Sequence, residues 1–268
     1  MTRTLGNVLY LYPLTPKSAF VMTQMVELNF PLLIENLVYI SKKHYFCSVL
    51  EIYSMVSYIE FKEKLLPEGC FSIHQARLYF PTFDRNNLTR WTKKGLLLRL
   101  RQEWYAFPEL LQRPDFARYI AGRIYRPSYI SLHTALSIYG LIPEAVSSIT
   151  SVSTLKTARF ENAFGQYTYQ NVKPELFFGY KPVMLTVNTA IINAPKQAWM
   201  LAHPEKALLD LLYLYPFYNS EEEIEQLRLD DDYMTGELNL GRLSEYQQKI
   251  GNKALDARVK ILRKIYDL

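Results

Sequence analysis

Hydrophobic residues recur at helical spacing from Met55 to Leu66, with Val56, Ile59, Leu65 and Leu66 set among charged neighbours. Pro67 and Gly69 end that run, so the pattern predicts a first helix. Ser72-Ile73-His74-Gln75 has the form of a capping box, in which Ser72 meets an orphan N–H and Gln75 reaches back. It predicts a second helix that stops at Pro81. Asp84 is the expected cap of a third, with Phe83 and Leu88 spaced as a hydrophobic staple. Gly95 ends it, and Lys93 and Lys94 lie in its last turn, where cations suit the dipole. Leu96–Arg101 and Trp104–Phe107 then read as two strands around Gln102-Glu103, closed by Pro108. Three helices followed by a hairpin predict a winged helix-turn-helix over residues 55–110.

The pattern after residue 110 is mixed. Tyr129–Ile142 reads as an amphipathic helix with Ser128 as N-cap, Leu132, Leu136 and Tyr139 stacked, and Gly140 near its end. Ile149–Leu155 alternates like a strand, and Phe164–Tyr169, Glu175–Tyr180 and Val183–Val187 continue as short strands. His203-Pro204-Glu205 opens a helix that buries Leu208, Leu211, Leu212 and Tyr215 before Pro216. The remainder is helical, and Leu255, Val259, Leu262, Ile265 and Tyr266 form an apolar stripe near the end. The expected fold class is therefore α+β: a winged helix-turn-helix over 55–110, then an α+β domain over 111–268 with a small sheet and C-terminal helices. Residues 1–54 show no clean period. They read as an extension of unassigned role, or as upstream sequence before a true start at Met55.

Composition narrows the class. With 49% of 268 residues hydrophobic, global disorder is excluded. The 21 Tyr, 14 Phe and 3 Trp call for aromatic cores or stacking surfaces. Cys47 and Cys70 are too few for a disulfide framework or a zinc module, and His44, His74, His133 and His203 never pair with cysteine at ligand spacing. No metal or cofactor is expected. The most apolar stretch, 19–40, is interrupted by Glu27, Glu35 and Pro31 and is no membrane span, and no signal peptide is read. A cytoplasmic, membrane-independent protein is the expectation.

The net charge of +5 is mild, but it is unevenly spread. Residues 61–126 hold 13 basic and 6 acidic residues, more excess charge than the whole chain. Residues 221–237 hold eight acids and only Arg228, whereas 242–264 hold seven basic residues against Glu245 and Asp256. The last two segments can pair with each other or form a charged docking surface.

At 100° per residue, Leu88, Trp91, Thr92 and Gly95 share one sector of the third helix, its expected core face. Asn86, Thr89, Arg90 and Lys93 occupy the opposite sector, with Asn87 and Lys94 on its flank. This is the inventory of a major-groove reader: Arg bonds guanine bidentately, Asn bonds adenine, and Lys meets phosphate. Arg85, Lys94, Arg99 and Arg101 are the expected phosphate contacts, the last two pointing the same way by strand alternation. A solvated basic face is the alternative. His203, Glu205 and Asp210 could be drawn as an acid–base cluster, but no nucleophile or metal set accompanies them, and Glu205 suits a helix N-terminus. Asp230-Asp231-Asp232 lacks the alternating ligands of a calcium loop. No enzyme activity is expected.

Phe71-Ser72-Ile73, Asn87–Gly95 and Trp104-Tyr105-Ala106-Phe107-Pro108 resemble the N-terminal winged helix of the AbiEi family antitoxins. Pro127–Leu136, Tyr139–Glu144 and Ala202–Asp210 are similar to that family's C-terminal domain, in the same order. Relatives often carry a basic residue and glycine at the wing tip, where this chain has Gln102-Glu103. The resemblance implies an antitoxin of a type IV toxin–antitoxin system linked to abortive phage infection. It implies that residues 55–110 bind the operon's own promoter at inverted repeats in double-stranded DNA, repressing it. The rest would counteract a nucleotidyltransferase-like toxin, by contact or through its target. A ligand-responsive winged-helix regulator with a sensor domain is the competing expectation, and a nuclease the third.

Overall fold

The computed structural model describes residues 56–113, 115–144, 146–185 and 197–268. The questions raised over residues 1–54 and a start at Met55 lie outside them. Ser57 caps the first helix, α1 (Tyr58–Leu65), its hydroxyl accepting from the Glu60 N–H. A three-residue strand, β1 (Cys70–Ser72), follows, and Ser72 then closes the expected capping box of α2 (Ile73–Tyr79) with Gln75. α3 (Asn86–Lys93) begins where Asp84 Oδ1 accepts from the Asn86 N–H. It ends at Gly95, with φ +71°. There the Leu96 N–H bonds Trp91 O and the Gly95 N–H bonds Thr92 O, a complete Schellman closure.

The hairpin β2 (Leu98–Arg101) and β3 (Trp104–Ala106) joins β1 in a small antiparallel sheet of order β1-β3-β2. β1 escapes sequence reading because three residues ending in a helix cap carry no period. Phe61 sits at the centre of this part, its ring 4.8–6.5 Å from those of Phe71, Phe80, Phe83, Trp91 and Phe107. Much of the aromatic excess is thus packed core.

After α4 (Phe116–Ile124), the second part holds a six-stranded mixed sheet rather than the small one expected. Its strands are β4 (Ser128–Ile130), β5 (Ser148–Ser153), β6 (Ala158–Asn162), β7 (Gly165–Asn171), β8 (Tyr180–Met184) and β9 (Ala198–Ala202). Their order is β6-β7-β5-β4-β9-β8, with β5/β7 and β4/β9 parallel. Between β4 and β5, α5 (Leu132–Ile138) starts three residues later than the sequence suggests. The expected N-cap, Ser128, instead belongs to a strand buried throughout, paired with both β5 and β9. The run 175–180 is likewise no strand: Pro174–Leu176 is a 3₁₀ turn, Pro174 favouring its first position, and β8 starts only at Tyr180.

Helices α6 (Pro204–Leu214), α7 (Glu221–Glu225), α8 (Leu240–Ile250) and α9 (Lys253–Ile265) complete the chain, with a π turn at Tyr233–Glu237. The result is a mixed α+β protein with one small antiparallel and one larger mixed sheet. Residues 56–268 form one unit across the expected boundary at 110. Asn162 Nδ2 donates to Leu100 O, Gln197 Nε2 to Pro67 O, and the Tyr119 hydroxyl to Glu68 O. None of the helices among the described residues is long and apolar enough to cross a membrane.

Candidate nucleic-acid interface

α3 is strongly two-faced. Leu88 and Trp91 are buried, together with Asn87, while Asn86, Thr89, Arg90 and Lys93 are exposed, followed by exposed Lys94. Those five exposed residues line a single shallow hollow. Asn87, expected on the flank of the face, turns inward and accepts from Arg90 Nη2 at 2.8 Å. It holds the guanidinium in one direction instead of offering its own amide outward. Gly95, placed in the core sector by periodicity, is exposed because it is the αL residue that ends the helix.

Arg85 and Arg99 are exposed; Arg101 is not placed with them. Cα pairing runs Arg99↔Tyr105 and then Arg101↔Trp104, so Leu100 is an extra residue in β2. That bulge breaks the alternation that put Arg99 and Arg101 on one side. Arg101 turns into the protein, 4.3 Å from the Phe160 ring centroid and 5.0 Å from that of Tyr125, and its Nη1 donates to Ile124 O. It ties the hairpin to the larger sheet. The expectation of a phosphate contact from Arg101 fails on this geometry. At the hairpin tip, Glu103 has φ +65°, its carbonyl accepts from the Ile73 N–H, and its carboxylate lies near His74 and Arg85.

The residues drawn as an acid–base cluster have separate partners. His203 Nδ1 is 2.8 Å from the Tyr246 hydroxyl, and burial with the nearby Arg242 pushes its pKa down. Glu205, 2% exposed, accepts from the Asn239 N–H and from Arg242, so it pins the start of α8 onto α6. Asp210 accepts from the hydroxyls of Tyr129 and Ser131 and pairs with Lys206. Lys206 also donates to the Tyr129 hydroxyl, and no part of its side chain reaches solvent. Burial, and then Asp210, push the Tyr129 hydroxyl well above its ordinary pKa. Gly179, at φ +75°, permits this closeness: a Cβ there would lie 3.0 Å from Lys206 Cγ. Sequence reasoning missed this node, because Lys206 and Asp210 at i,i+4 look like an ordinary exposed helix pair.

In the charged tail, Lys264 pairs with Glu221, so the basic and acidic segments touch. Arg258 donates to Leu212 O and Arg263 to Ser244, which spends two more of the seven cations internally. A separate hollow of about 250 Å³ is lined by Arg126, Phe177, Tyr180, Trp199 and Met200, among others. Cys70 is buried, and its thiol is pushed up to about 12 by desolvation, which keeps it unreactive. Among the described residues no group of three or more His, Cys, Asp or Glu could hold a metal. No protein-family model matches the chain, and no curated protein matches it.

Proposed function

We propose that the chain is a DNA-binding regulator in which the three helices and hairpin of residues 56–106 act as a winged helix-turn-helix. One observation carries the reading: the exposed side of α3 gathers Asn86, Thr89, Arg90, Lys93 and Lys94 and nothing apolar. Arg90, steadied by Asn87, reads a guanine edge; Asn86 and Thr89 meet neighbouring bases; Lys93, Lys94, Arg85 and Arg99 hold phosphates. The partner is double-stranded DNA at the chain's own promoter. Its role as an antitoxin against a nucleotidyltransferase-like toxin rests on the resemblance to the AbiEi family, and co-expression with the neighbouring gene tests it.

The direct test is a gel shift on the upstream region with Arg90→Ala and Lys93→Ala. Arg90→Ala is expected to cost about 1–3 kcal/mol of binding and to relax sequence preference. Lys93→Ala weakens all sequences alike. Unchanged affinity in both, with folded proteins, sinks the assignment of α3. The ligand-responsive reading draws on the hollow beside Arg126 and Trp199, which is slightly smaller than the usual range for ligand pockets. A metabolite that raises the melting temperature and shifts the gel would favour it.

A further inference from the structure

We propose that Glu103 is a built-in competitor for phosphate that restrains sequence-independent DNA binding; this rests on the reading of α3 as the DNA-facing helix. Gln102 and Glu103 form the two-residue connection of the hairpin, and Glu103 occupies the left-handed region at φ +65°. Turns of this kind favour Gly, Asn or Asp at such positions, so backbone conformation gives no reason for a glutamate. The backbone nevertheless fixes where it points. The Glu103 carbonyl accepts from the Ile73 N–H at 3.0 Å, which pins the tip to the start of α2.

From there the carboxylate lies 3.6 Å from His74 Nε2 and 3.9 Å from Arg85 Nη2. The side chain of Arg85 is 59% exposed and that of Glu103 36%, so solvent reaches both and the pair can exchange partners. Pairs this exposed add little to stability. Their position matters more. Arg85 immediately precedes Asn86, the first residue of the exposed polar face. A DNA phosphate that takes Arg85 must tolerate the Glu103 carboxylate 3.9 Å from the guanidinium and compete with its charge. Non-specific binding consists almost wholly of such phosphate contacts, whereas specific binding also has base contacts to draw on. Glu103 therefore weakens the sequence-independent term, on which non-specific binding depends almost entirely, and leaves the base contacts of specific binding intact.

The experiment measures binding of the full chain and of Glu103→Gln to a fluorescent duplex of arbitrary sequence between 50 and 200 mM salt. One recovered phosphate contact steepens the log–log salt slope by about 0.9. Glu103→Gln should bind severalfold tighter at 50 mM, and its advantage should shrink about threefold by 200 mM, as that slope requires. Adding Arg85→Ala to Glu103→Gln should cancel the gain. Glu103→Gly, which also suits the positive φ, should reproduce it and guards against a folding defect in the glutamine variant. If both variants bind like the parent while Arg90→Ala still weakens binding, Glu103 has no such role. If the folded parent binds no duplex at all, the reading of α3 falls instead.

Discussion

Two groups of charged side chains in this chain look alike in sequence and have opposite fates. On α3, Arg90, Lys93 and Lys94 follow one another at helical spacing and all face solvent. On α6, Lys206 and Asp210 also sit at helical spacing, yet both are buried with Tyr129 and Ser131 as their partners. The difference lies in what covers each helix. α3 packs one side on the aromatic cluster around Phe61 and leaves the other open. α6 is buried along nearly its whole length, Pro204 to Leu212. Charge on an open face can be lent to a partner; charge under two layers has to be satisfied inside the fold.

The largest expected effect comes from breaking the buried group. Lys206→Met leaves the Asp210 carboxylate without its cation, and Asp210→Ala leaves Lys206 without its anion. Removing one member of a buried pair typically costs about 3–5 kcal/mol. At about 2–4 °C per kcal/mol for a protein of this size, the melting temperature should drop by roughly 10 °C. The double variant Lys206→Met with Asp210→Leu should lose less than the two single losses added together, because no lone charge remains. Single losses within 1 °C would show that the two regions do not differ as claimed.

Arg101 sits between the two cases. It was expected with the exposed cations but is half-buried, held by Phe160, Tyr125 and the Ile124 carbonyl. Arg101→Ala should cost about 1–3 kcal/mol of stability from the lost stacking and charge-assisted bond. The salt dependence of the proposed DNA binding should stay as it was. Arg90→Ala should do the reverse. If Arg101→Ala flattened the salt slope by about one unit and left the melting temperature alone, Arg101 would return to the proposed DNA-facing set.

What the sequence made legible follows the same division. Local devices were readable: the Ser72–Gln75 capping box, the Gly95 stop, the buried–exposed split of α3 and the Pro204 start of α6. Features settled by distant residues were not. The N–H of Thr134, in the first turn of α5, is met by Thr150 Oγ1 from β5, while the Ser131 hydroxyl is drawn to Asp210. No local pattern announces that arrangement, so Ser128 looked like the cap. Arg101 was misplaced by one extra residue in β2, because a bulge is a property of the pair of strands. The extent of the larger sheet was missed for a related reason. β9 is a five-residue strand whose place beside β4 is set by a partner 71 positions away, at Ile130↔Leu201.

The smallest expected effect separates the regions by pH. His133 lies in the first turn of α5, and burial pushes its pKa below the ordinary 6.5, against a weaker opposing pull from Glu144. His203 is lowered too, by burial and then by Arg242. Both imidazoles are therefore held neutral in the folded chain at a pH where the unfolded chain already takes up protons. Above pH 6.5 the two states bind the same number of protons at these positions, and the full stability is present. As the pH falls below 6.5, unfolding gains a proton at each site and stability declines, until the folded-state pKa is reached. Glu109 and Glu223, whose carboxyls are lowered from 4.5, contribute only at more acid pH. Melting temperatures between pH 7 and pH 5 should thus fall, and His133→Gln should make the decline shallower. The exposed face of α3 carries no histidine, so Arg90→Ala should leave that pH slope unchanged. A parent protein whose melting temperature is flat from pH 7 to pH 5 would mean that the imidazoles of the larger sheet region are not held neutral by burial.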